Sequence, residues 1–345
     1  MKRTVFLILI LGLVAGCGAA PTAAPTAAPD LVATQVAVMA AAAATLTAQA
    51  PTPVPTDTPI PTALPTATHT ATMPPAPTLL PTVTRRPQAT ATPSLPPVGP
   101  SLGRFAVVDV RSDDVLNVRT GPGVGYPIAG TIPYYGWDVE LFAGGQQVGD
   151  SWWVPVEYRD VGGWANSSYL ARQVGYASEM VAPLAAEAIM ALHDRDLAAL
   201  ARLVHPILGL RFTPYALVTK GSDGDLVFRA DELPGLMADS TVYHWGLYDG
   251  SGLPIDATFR AYYDQFVYDV DFVRPDVVGF GERVGQGNSI DNIATAYPGG
   301  VMVEYHFEGF DPQYGGMDWR SLRLVFEELN GIWYLVGIVH DEWTI

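Results

Sequence analysis

Hydrophobic and polar positions divide the chain into a first part of low complexity and a second part with clear periodicity. Residues 19–100 contain almost only Ala, Pro, Thr, Leu, Val and Ser, with too few large apolar side chains to form a core. From residue 101 onward, nearly all of the Trp, Tyr and charged residues appear, and apolar positions recur at regular spacing. The pattern therefore predicts that the folded part of the chain begins near residue 104.

The first periodic runs are short and closely spaced, as in small β proteins. Phe105–Val110 predicts a strand, and residues 116–119 alternate between apolar and polar side chains before Gly121 and Pro122 end the run. Many short strands in a stretch of this length indicate a small all-β barrel over residues 104–172. The other predicted strands are Ile128–Ile132, Asp138–Phe142, Trp152–Glu157 and Gly163–Ala165.

Beyond residue 176 the apolar spacing changes to that of helices. Apolar residues recur at helical spacing from Glu179 to Leu203, with an interruption at 193–196, which predicts two consecutive helices. A further helix is predicted over Ile255–Tyr268, with its aromatic residues on one side. The predicted strands are Leu210–Phe212, Thr241–Leu247, Met302–Phe307, Leu322–Leu329 and Trp333–His340. We therefore expect an α+β domain over residues 176–345, with N-terminal helices packed on a curved antiparallel sheet.

The N-terminus has the layout of a secretion signal. Lys2 and Arg3 precede an apolar run over Val5–Val14 that is too short to span a bilayer, and small residues lead to Cys17, the only cysteine. This layout resembles a bacterial lipoprotein signal. The resemblance implies that residues 1–16 are removed, that Cys17 is acylated, and that membrane lipid anchors an extracytoplasmic protein. The alternative is an ordinary secretory signal followed by a chance cysteine.

Two segments separate the anchor from the folded part. Residues 17–50 are rich in Ala, and within them 31–48 predicts a helix with a short heptad pattern. Weak self-association through this helix is one alternative, and a frayed or membrane-resting helix is the other. Residues 51–103 repeat Pro-Thr pairs, which favour extended polyproline II over helix and sheet. We expect a disordered stalk that extends up to roughly 150 Å, at about 3.1 Å per residue.

Charge and cysteine content narrow the range of partners. The formal net charge is −16, and because residues 1–100 carry +2 of it, the folded part carries −18. Such an excess repels nucleic acid and anionic lipid headgroups, and it leaves cations, weakly charged partners and neutral sugars. With Cys17 acylated, no thiol remains for a disulfide, a zinc–thiolate site or a cysteine nucleophile.

Four motifs follow one another in the predicted barrel. They are Leu-Asn-Val-Arg at 116–119, Gly-Pro at 121–122, Gly130 and the closing Gly-Gly-Trp-Ala-Asn at 162–166. In order and spacing they resemble the signature of the bacterial SH3-like domain. The resemblance implies a domain that binds cell-wall peptides or glycans in some members of the family and is a bare spacer in others. Leu116 and Val118 are expected to fill the barrel, and Asn117 and Gly121 to shape turns.

Aromatic residues are the candidate ligand contacts of this barrel. It carries more aromatic rings than so small a core can bury, and the C–H face of a sugar stacks on exposed rings. Trp153 and Trp164 are expected to be buried because each flanks strand residues. The candidate contacts are Tyr126, Tyr134, Tyr135, Trp137 and Trp152.

The order of helices and strands beyond residue 176 resembles the ketosteroid isomerase-like, nuclear transport factor 2-like fold. The resemblance implies an open cone between helices and sheet, which holds an acid or base in catalytic members and is a ligand pocket or dimer surface in others. Alternation places Glu304, His306 and Glu308 on one strand face, near the strand that ends at His340. The alternative is a polar His306 on a solvent face. The candidate pocket residues are His205, Arg211, Glu304, His306 and His340.

The sequence contains no metal-binding or cofactor-binding motif that would support a catalytic function. The chain has no His-Glu-x-x-His pair and no phosphate-binding loop with Lys-Ser or Lys-Thr. We therefore predict a noncatalytic module that binds cell-wall peptide or glycan through the barrel, with no metal and no cofactor. Two alternatives stay open. One is a small-ligand binder, or a hydrolase- or isomerase-type enzyme, that uses a pocket in the second domain; the other is a scaffold for a protein partner.

Overall fold

The structure is a computed structural model, and it describes residues 99–222 and 224–344. The described residues belong to one compact unit. The predicted signal (1–16), the acylated Cys17, the Ala-rich segment (17–50) and the stalk up to residue 98 lie outside the described residues. In the two described ranges, no helix combines the length and the apolar content needed to cross a membrane.

The N-terminal half, residues 99–175, consists of eight short strands. They are β1 Ser101–Val107, β2 Val115–Arg119, β3 Ile128–Pro133, β4 Val139–Phe142, β5 Gln146–Val148, β6 Ser151–Tyr158, β7 Val161–Asn166 and β8 Leu170–Gly175. The strands predicted in this half are all present, and β1 begins inside the predicted stalk. Strands β5 and β8 are found in addition to the predicted set.

The core of the N-terminal half is mostly aliphatic. Leu116 and Val118 are buried in it, which confirms the prediction from their alternation. Asn117 lies within β2, so the expectation that it shapes a turn is wrong. Gly121 lies in the bend after β2, where a Cβ atom would come within 2.4 Å of the Tyr126 ring. Close packing at this bend therefore requires glycine.

The C-terminal half, residues 176–344, contains four helices and eight strands. The helices are α1 Ala182–His193, α2 Leu197–Ala201, α3 Phe259–Phe266 and α4 Ile293–Ala296. The strands are β9 Leu210–Thr213, β10 Val227–Phe228, β11 Val242–Leu247, β12 Pro254–Thr258, β13 Val277–Phe280, β14 Val301–Phe307, β15 Arg320–Leu329 and β16 Ile332–Glu342. The break between the first two helices is confirmed, because the Asp196 side chain accepts a hydrogen bond from the Ala199 N–H and caps α2.

The predicted helix over Ile255–Tyr268 is wrong in its first four residues. These residues lie in β12, and the helix begins only at Phe259. The hydroxyl of Thr258 accepts a hydrogen bond from the Ala261 N–H, which caps α3 at this position. The side chain of one threonine therefore sets the boundary between strand and helix.

One large mixed sheet runs through both halves. Its strand order is β10-β9-β16-β15-β14-β13-β8-β1-β4-β6-β7-β2-β3, with β5 paired to β6, while β11 and β12 form a separate two-stranded sheet. The prediction of an antiparallel sheet is wrong at two pairings, because β8 runs parallel to β13 and β9 runs parallel to β16. The β8–β13 pairing joins the two halves through backbone hydrogen bonds.

Aromatic side chains fill the space between the helices and the C-terminal part of the sheet. Phe212 on β9 contacts Phe259 and Tyr262 of α3 edge-on, with ring centres 5.4 and 6.5 Å apart. Tyr262 in turn stacks on Trp245 of β11 at 3.8 Å and 13°. The predicted aromatic side of α3 is confirmed, since its buried residues are Phe259, Tyr262, Tyr263 and Phe266. The interior of this half is therefore closed by its own side chains.

Candidate functional site

A groove of about 630 Å³ lies where the N-terminal half meets helix α1. Strand β2 and the loop before it form one wall, and helix α1 contributes the side chains at its C-terminal end. We call this the joint groove and define it by its lining residues within 109–119 together with Val124, Trp153, Asn166, Tyr169, Met190 and His193. Its volume is typical of small-ligand sites.

Strand alternation explains why polar side chains face the joint groove. Val118 is fully buried inside the N-terminal half, so its neighbours Asn117 and Arg119 point outward and line the groove. Trp153 is only 5% exposed and Tyr169 is half-buried, so packing holds the aromatic wall in place. The groove is therefore preformed.

Ion pairs connect the two halves beside the joint groove. Arg111 donates two hydrogen bonds to Asp194, at 2.6 and 3.1 Å, and Arg274 donates to Asp109 at 2.7 Å. The hydrogen bond from Arg111 lowers the pKa of Asp194, which keeps this carboxylate ionised. His193 Nδ1 lies 2.9 Å from the same carboxylate. Partly exposed pairs of this kind add little stability, but they fix the orientation of the groove walls.

The joint groove carries both signs of charge. Asp113 and Asp114 are exposed along it, and Arg111 and Arg119 also line it. Arg119 Nη1 donates to the carbonyl oxygen of Tyr126 at 2.8 Å, which positions the guanidinium. Opposite charges, side-chain amides and an aromatic wall together suit a ligand that has charged groups of both signs and an apolar part.

The five aromatic residues predicted to contact a ligand lie outside the joint groove. Tyr126 and Trp152 are 48% and 49% exposed. Trp152 lies on the opposite face of β6 from Trp153, because successive side chains of a strand alternate. Trp153 is buried as predicted, whereas Trp164 is only half-buried, so the prediction for Trp164 is wrong.

The other three predicted aromatic residues lie at the junction between the halves. The Tyr134 hydroxyl donates to Glu187 on α1 at 2.8 Å, and Tyr135 contacts the Tyr134 ring edge-on at 4.8 Å. Trp137 packs against the core of the C-terminal half. All three therefore stabilise the junction between the halves.

The predicted pocket residues of the C-terminal half do not converge on one site. His205 is buried in the turn after α2, where its Nδ1 accepts hydrogen bonds from two backbone N–H groups at 3.1 and 2.9 Å. Arg211 on β9 donates to the carbonyl oxygens of Thr219 and Asp225, at 3.2 and 2.8 Å. Each of these two side chains holds a loop in place.

Glu304 and His306 share one face of β14, as their alternation predicts, but that face is buried. Glu304 accepts hydrogen bonds from the backbone N–H groups of Val284 and Gly285, at 2.9 and 2.8 Å, and from Ser321 Oγ at 2.6 Å. His306 Nδ1 lies 2.8 Å from the same Ser321 Oγ. The alternative of a solvent-facing His306 is wrong, because the residue is 6% exposed. Burial lowers the pKa of His306, which favours the neutral ring.

Arg323 neutralises the negative charge on this buried face. Its guanidinium is fully buried and lies 3.2 Å from Glu304 and 2.8 Å from Asp341. Burial alone would raise the pKa of Glu304, but Arg323 and the hydrogen bond from Ser321 outweigh it and lower the pKa. Glu304, Arg323 and Asp341 are inaccessible to solvent, and the partly exposed Arg283 and Asp291 extend the cluster towards the surface, so the buried part is structural.

His340 lies on the opposite face of the sheet, towards the aromatic core. Its Nε2 is 3.2 Å from Asp269, and its ring packs edge-on against Phe266 at 5.9 Å. The sheet therefore separates His340 from Glu304 and His306, and these three residues cannot act on one ligand.

One match to a catalytic motif lacks the local structure that the motif requires. Residues 99–103 read Gly-Pro-Ser-Leu-Gly, which fits the spacing of a Gly-x-Ser-x-Gly nucleophile elbow. That elbow needs a sharp turn from a strand into a helix, whereas Ser101 begins β1 and its hydroxyl donates to Glu140. The match therefore carries no catalytic prediction.

The joint groove was missed from the sequence because its walls come from segments far apart in the chain. Residues 109–119 and helix α1 meet only through tertiary packing. One local signal pointed to part of it, since the alternation that buries Leu116 and Val118 also turns Asn117 and Arg119 outward. The alternation therefore identifies the polar residues that line the groove, although not the groove itself.

Neither a metal site nor a known relative identifies the function. Across residues 99–222 and 224–344, no group of three or more His, Cys, Asp or Glu side chains is arranged to hold a metal ion. Comparison of the chain with family models, curated proteins and solved structures finds no match. Any function of the joint groove must therefore be inferred from the residues that line it.

Proposed function

We propose that this chain is a lipid-anchored, extracytoplasmic protein whose joint groove binds cell-wall peptide or glycan without catalysing a reaction. The observation that carries the proposal is the groove itself, in which side chains of both charges surround a packed aromatic wall. The resemblance of the N-terminus to a lipoprotein signal supports the location at the membrane.

The strand arrangement supports an SH3-like barrel for the N-terminal half. The motif at 116–119 forms β2, and the closing motif at 162–166 forms β7. These two strands pair through Arg119 and Trp164, so the first and last parts of the signature are neighbours in space. In the SH3-like family, domains with this signature include binders of wall peptides and glycans.

The topology of the C-terminal half supports a ketosteroid isomerase-like assignment. Two helices precede the β9–β10 hairpin, α3 follows, and β13 to β16 form a meander whose last strand pairs in parallel with β9. The interior is filled by Phe212, Phe259 and Tyr262, whereas catalytic members of that fold keep an open cone. The half therefore contributes Met190 and His193 to the joint groove and offers no open cone for catalysis.

The mixed charge of the joint groove favours a peptide over a glycan. Asp113 and Asp114 can accept hydrogen bonds from an ammonium group, and Arg119 can pair with a carboxylate. Wall peptides carry amino and carboxyl groups as well as short apolar side chains. A neutral glycan would leave these charges without partners, and binding it would still remove part of their hydration.

Co-sedimentation of the full-length chain with isolated cell walls tests this proposal. The groove variants are Asp113→Asn and Asn117→Leu, and each is expected to weaken binding by about tenfold, because the first removes the charge of one ion pair with the ligand and the second removes one hydrogen-bonding group. Trp152→Ala is the matched control, since it removes an exposed aromatic ring from the opposite face of β6.

Three results decide the matter. Loss of binding in the groove variants but not in Trp152→Ala supports the proposal. Loss in Trp152→Ala alone moves the ligand to the exposed aromatic face. Absence of binding by the unmodified chain at low salt refutes wall binding.

A further inference from the structure

A second cavity, of about 760 Å³, lies in the C-terminal half away from the joint groove. It is bounded by the β11–β12 hairpin and by two loops, and we call it the hairpin cavity. Its lining residues fall within 214–219, 224–225, 245–252 and 288–290. None of them belongs to the joint groove or to β14, β15 and β16, and only Trp245 is shared with the buried aromatic core, so the hairpin cavity is separate from the groove and borders the filled interior.

Aromatic rings form rigid walls of the hairpin cavity. Tyr215, Trp245 and Tyr248 line it, and Trp245 is only 2% exposed. Phe266 packs behind the cavity, with its ring centre 5.5 Å from that of Tyr215 and 6.1 Å from that of Tyr248. The Trp245 indole N–H donates to the carbonyl oxygen of Ala257 at 3.0 Å, which fixes the ring. The walls are therefore held in position before any ligand enters.

Asp225 supplies a half-buried carboxylate to this cavity. Its Oδ2 accepts hydrogen bonds from Thr213 Oγ1 at 2.7 Å and from the Thr219 N–H at 2.9 Å. Arg211 donates to the carbonyl oxygens of Thr219 and Asp225 and makes no ion pair with the carboxylate. Burial raises the pKa of Asp225 more than these neighbours lower it. Within the described part of the chain, this carboxylate therefore lacks a direct cationic partner.

A buried hydroxyl without a hydrogen-bond partner among the described residues belongs to Tyr262, which lies behind the aromatic wall of the hairpin cavity. Tyr262 is 1% exposed, and its hydroxyl makes no hydrogen bond to any described residue. The Tyr262 ring stacks on Trp245, which lines the cavity. Burial raises the pKa of Tyr262 well above its ordinary value, and electrostatic interactions with Asp225 and Tyr215 raise it further. The hairpin cavity thus combines an aromatic wall with a carboxylate.

We infer that the hairpin cavity binds a small organic amine, with its ammonium group at Asp225 and its apolar body against Tyr215, Trp245 and Tyr248. The faces of tyrosine and tryptophan rings attract cations as well as apolar groups. The described lining residues include no Lys or Arg, and Asp249 adds a second carboxylate, so an anionic ligand is repelled. The net charge of −16 raises the local concentration of cations around the whole chain.

The test compares three probes of nearly equal size that differ in one group: phenethylamine, 2-phenylethanol and 3-phenylpropionate. Binding to the full-length chain is measured by isothermal titration calorimetry at neutral pH. We expect the amine to bind about tenfold more tightly than the alcohol, because one partly buried ion pair is gained, and the carboxylate not to bind. In the Asp225→Asn variant, the amine and the alcohol should bind about equally. Asp150→Asn, an exposed carboxylate in the β5–β6 turn, is the matched control and should leave the preference unchanged.

Leu217→Arg provides an independent test if the Asp225→Asn variant fails to fold. Leu217 is 47% exposed and lines the cavity, so an arginine there adds a positive charge without disturbing the core, and it should abolish amine binding.

Three results would overturn the inference. They are equal binding of amine and alcohol, tighter binding of the propionate, and no binding of any probe at millimolar concentration. Because the hairpin cavity and the joint groove share no residue, these outcomes are independent of the wall-binding experiment.

Discussion

The central strands β14, β15 and β16 present two buried faces that are stabilised in different ways. One face packs apolar side chains such as Leu322 and Leu324 against the helices. The other face buries Glu304, Arg323 and Asp341, all of which are inaccessible to solvent. Side chains that are adjacent along one strand therefore belong to two different cores.

The comparison shows that the two faces are stabilised under different conditions, one by packing and the other by charge pairing. Among the apolar side chains of the first face, stability follows the area and the fit of the side chains and does not depend on their protonation. On the charged face, each ion is stable only while its partners are present, since an unpaired buried charge is costly. Mutation and pH should therefore distinguish the two faces.

Phe212→Ala tests the apolar face and should give the largest loss. Phe212 is 1% exposed, and its ring contacts Phe228, Phe259 and Tyr262. We expect the free energy of unfolding to fall by about 3–5 kcal/mol in urea denaturation, by the same amount at acidic and neutral pH. Phe310→Ala is the control, because Phe310 is 54% exposed and its loss should stay within about 0.5 kcal/mol.

Arg323→Met tests the charged face with a side chain of similar length. It leaves Glu304 buried without its cation and Asp341 with only the partly exposed Arg283, and we expect a loss of about 3 kcal/mol at neutral pH. The loss should shrink at acidic pH, where both carboxylates are protonated and need no cation. A loss that is the same at every pH would show that packing of the side chain, and not its charge, is what matters at this position.

Acidification alone should destabilise the charged face. The pKa of His306 lies below its ordinary 6.5, so the unfolded chain takes up a proton that the folded chain excludes. The free energy of unfolding should therefore decrease as the pH falls below about 6.5, and the contribution of Glu304, whose pKa is lowered, should be lost below about 4.5, partly offset by Asp341, whose pKa burial raises. Urea midpoints measured across this range test the expectation. His306→Gln should remove the first decrease and leave the second.

Glu308→Ala should have the smallest effect, although Glu308 follows the same alternation as Glu304. Its side chain is 56% exposed and pairs with Arg172, which is 54% exposed. We expect a loss of about 0.5 kcal/mol or less, because exposed ion pairs contribute little. Glu304→Ala, measured in the same way, should cost several times more. Equal losses at the two positions would contradict the distinction between buried and exposed charge.

Most strands were predictable because one of their faces is buried and the other is not. Strand β13 shows the limit, since all four of its residues, Val277–Phe280, are buried and the alternation disappears. Its parallel partner β8 lies about a hundred residues earlier in the chain, and no local pattern encodes such a pairing. Helix α3 was predictable on its aromatic side but not at its start, where Thr258 caps it.

The candidate sites were less predictable than the strands. Alternation placed Glu304 and His306 on one face, but the loop that covers this face, including Val284 and Gly285, has no periodicity that would reveal it. The joint groove depends on Asn117 and His193 being brought together by packing between the halves. Sequence patterns predict which side of an element is polar, and only the tertiary structure shows what lies over that side.

The parallel pairing of β8 with β13 also has a mechanical consequence. Tension on the chain that precedes Gly99 enters β1, which is hydrogen-bonded to β4 on one side and to β8 on the other. Because these bonds lie across the strand direction, a pull along β1 loads several of them together in shear. From β8 the load passes through β13 into the rest of the sheet. A force applied between the chain before Gly99 and the rest of the sheet would therefore be transmitted through a continuous backbone network.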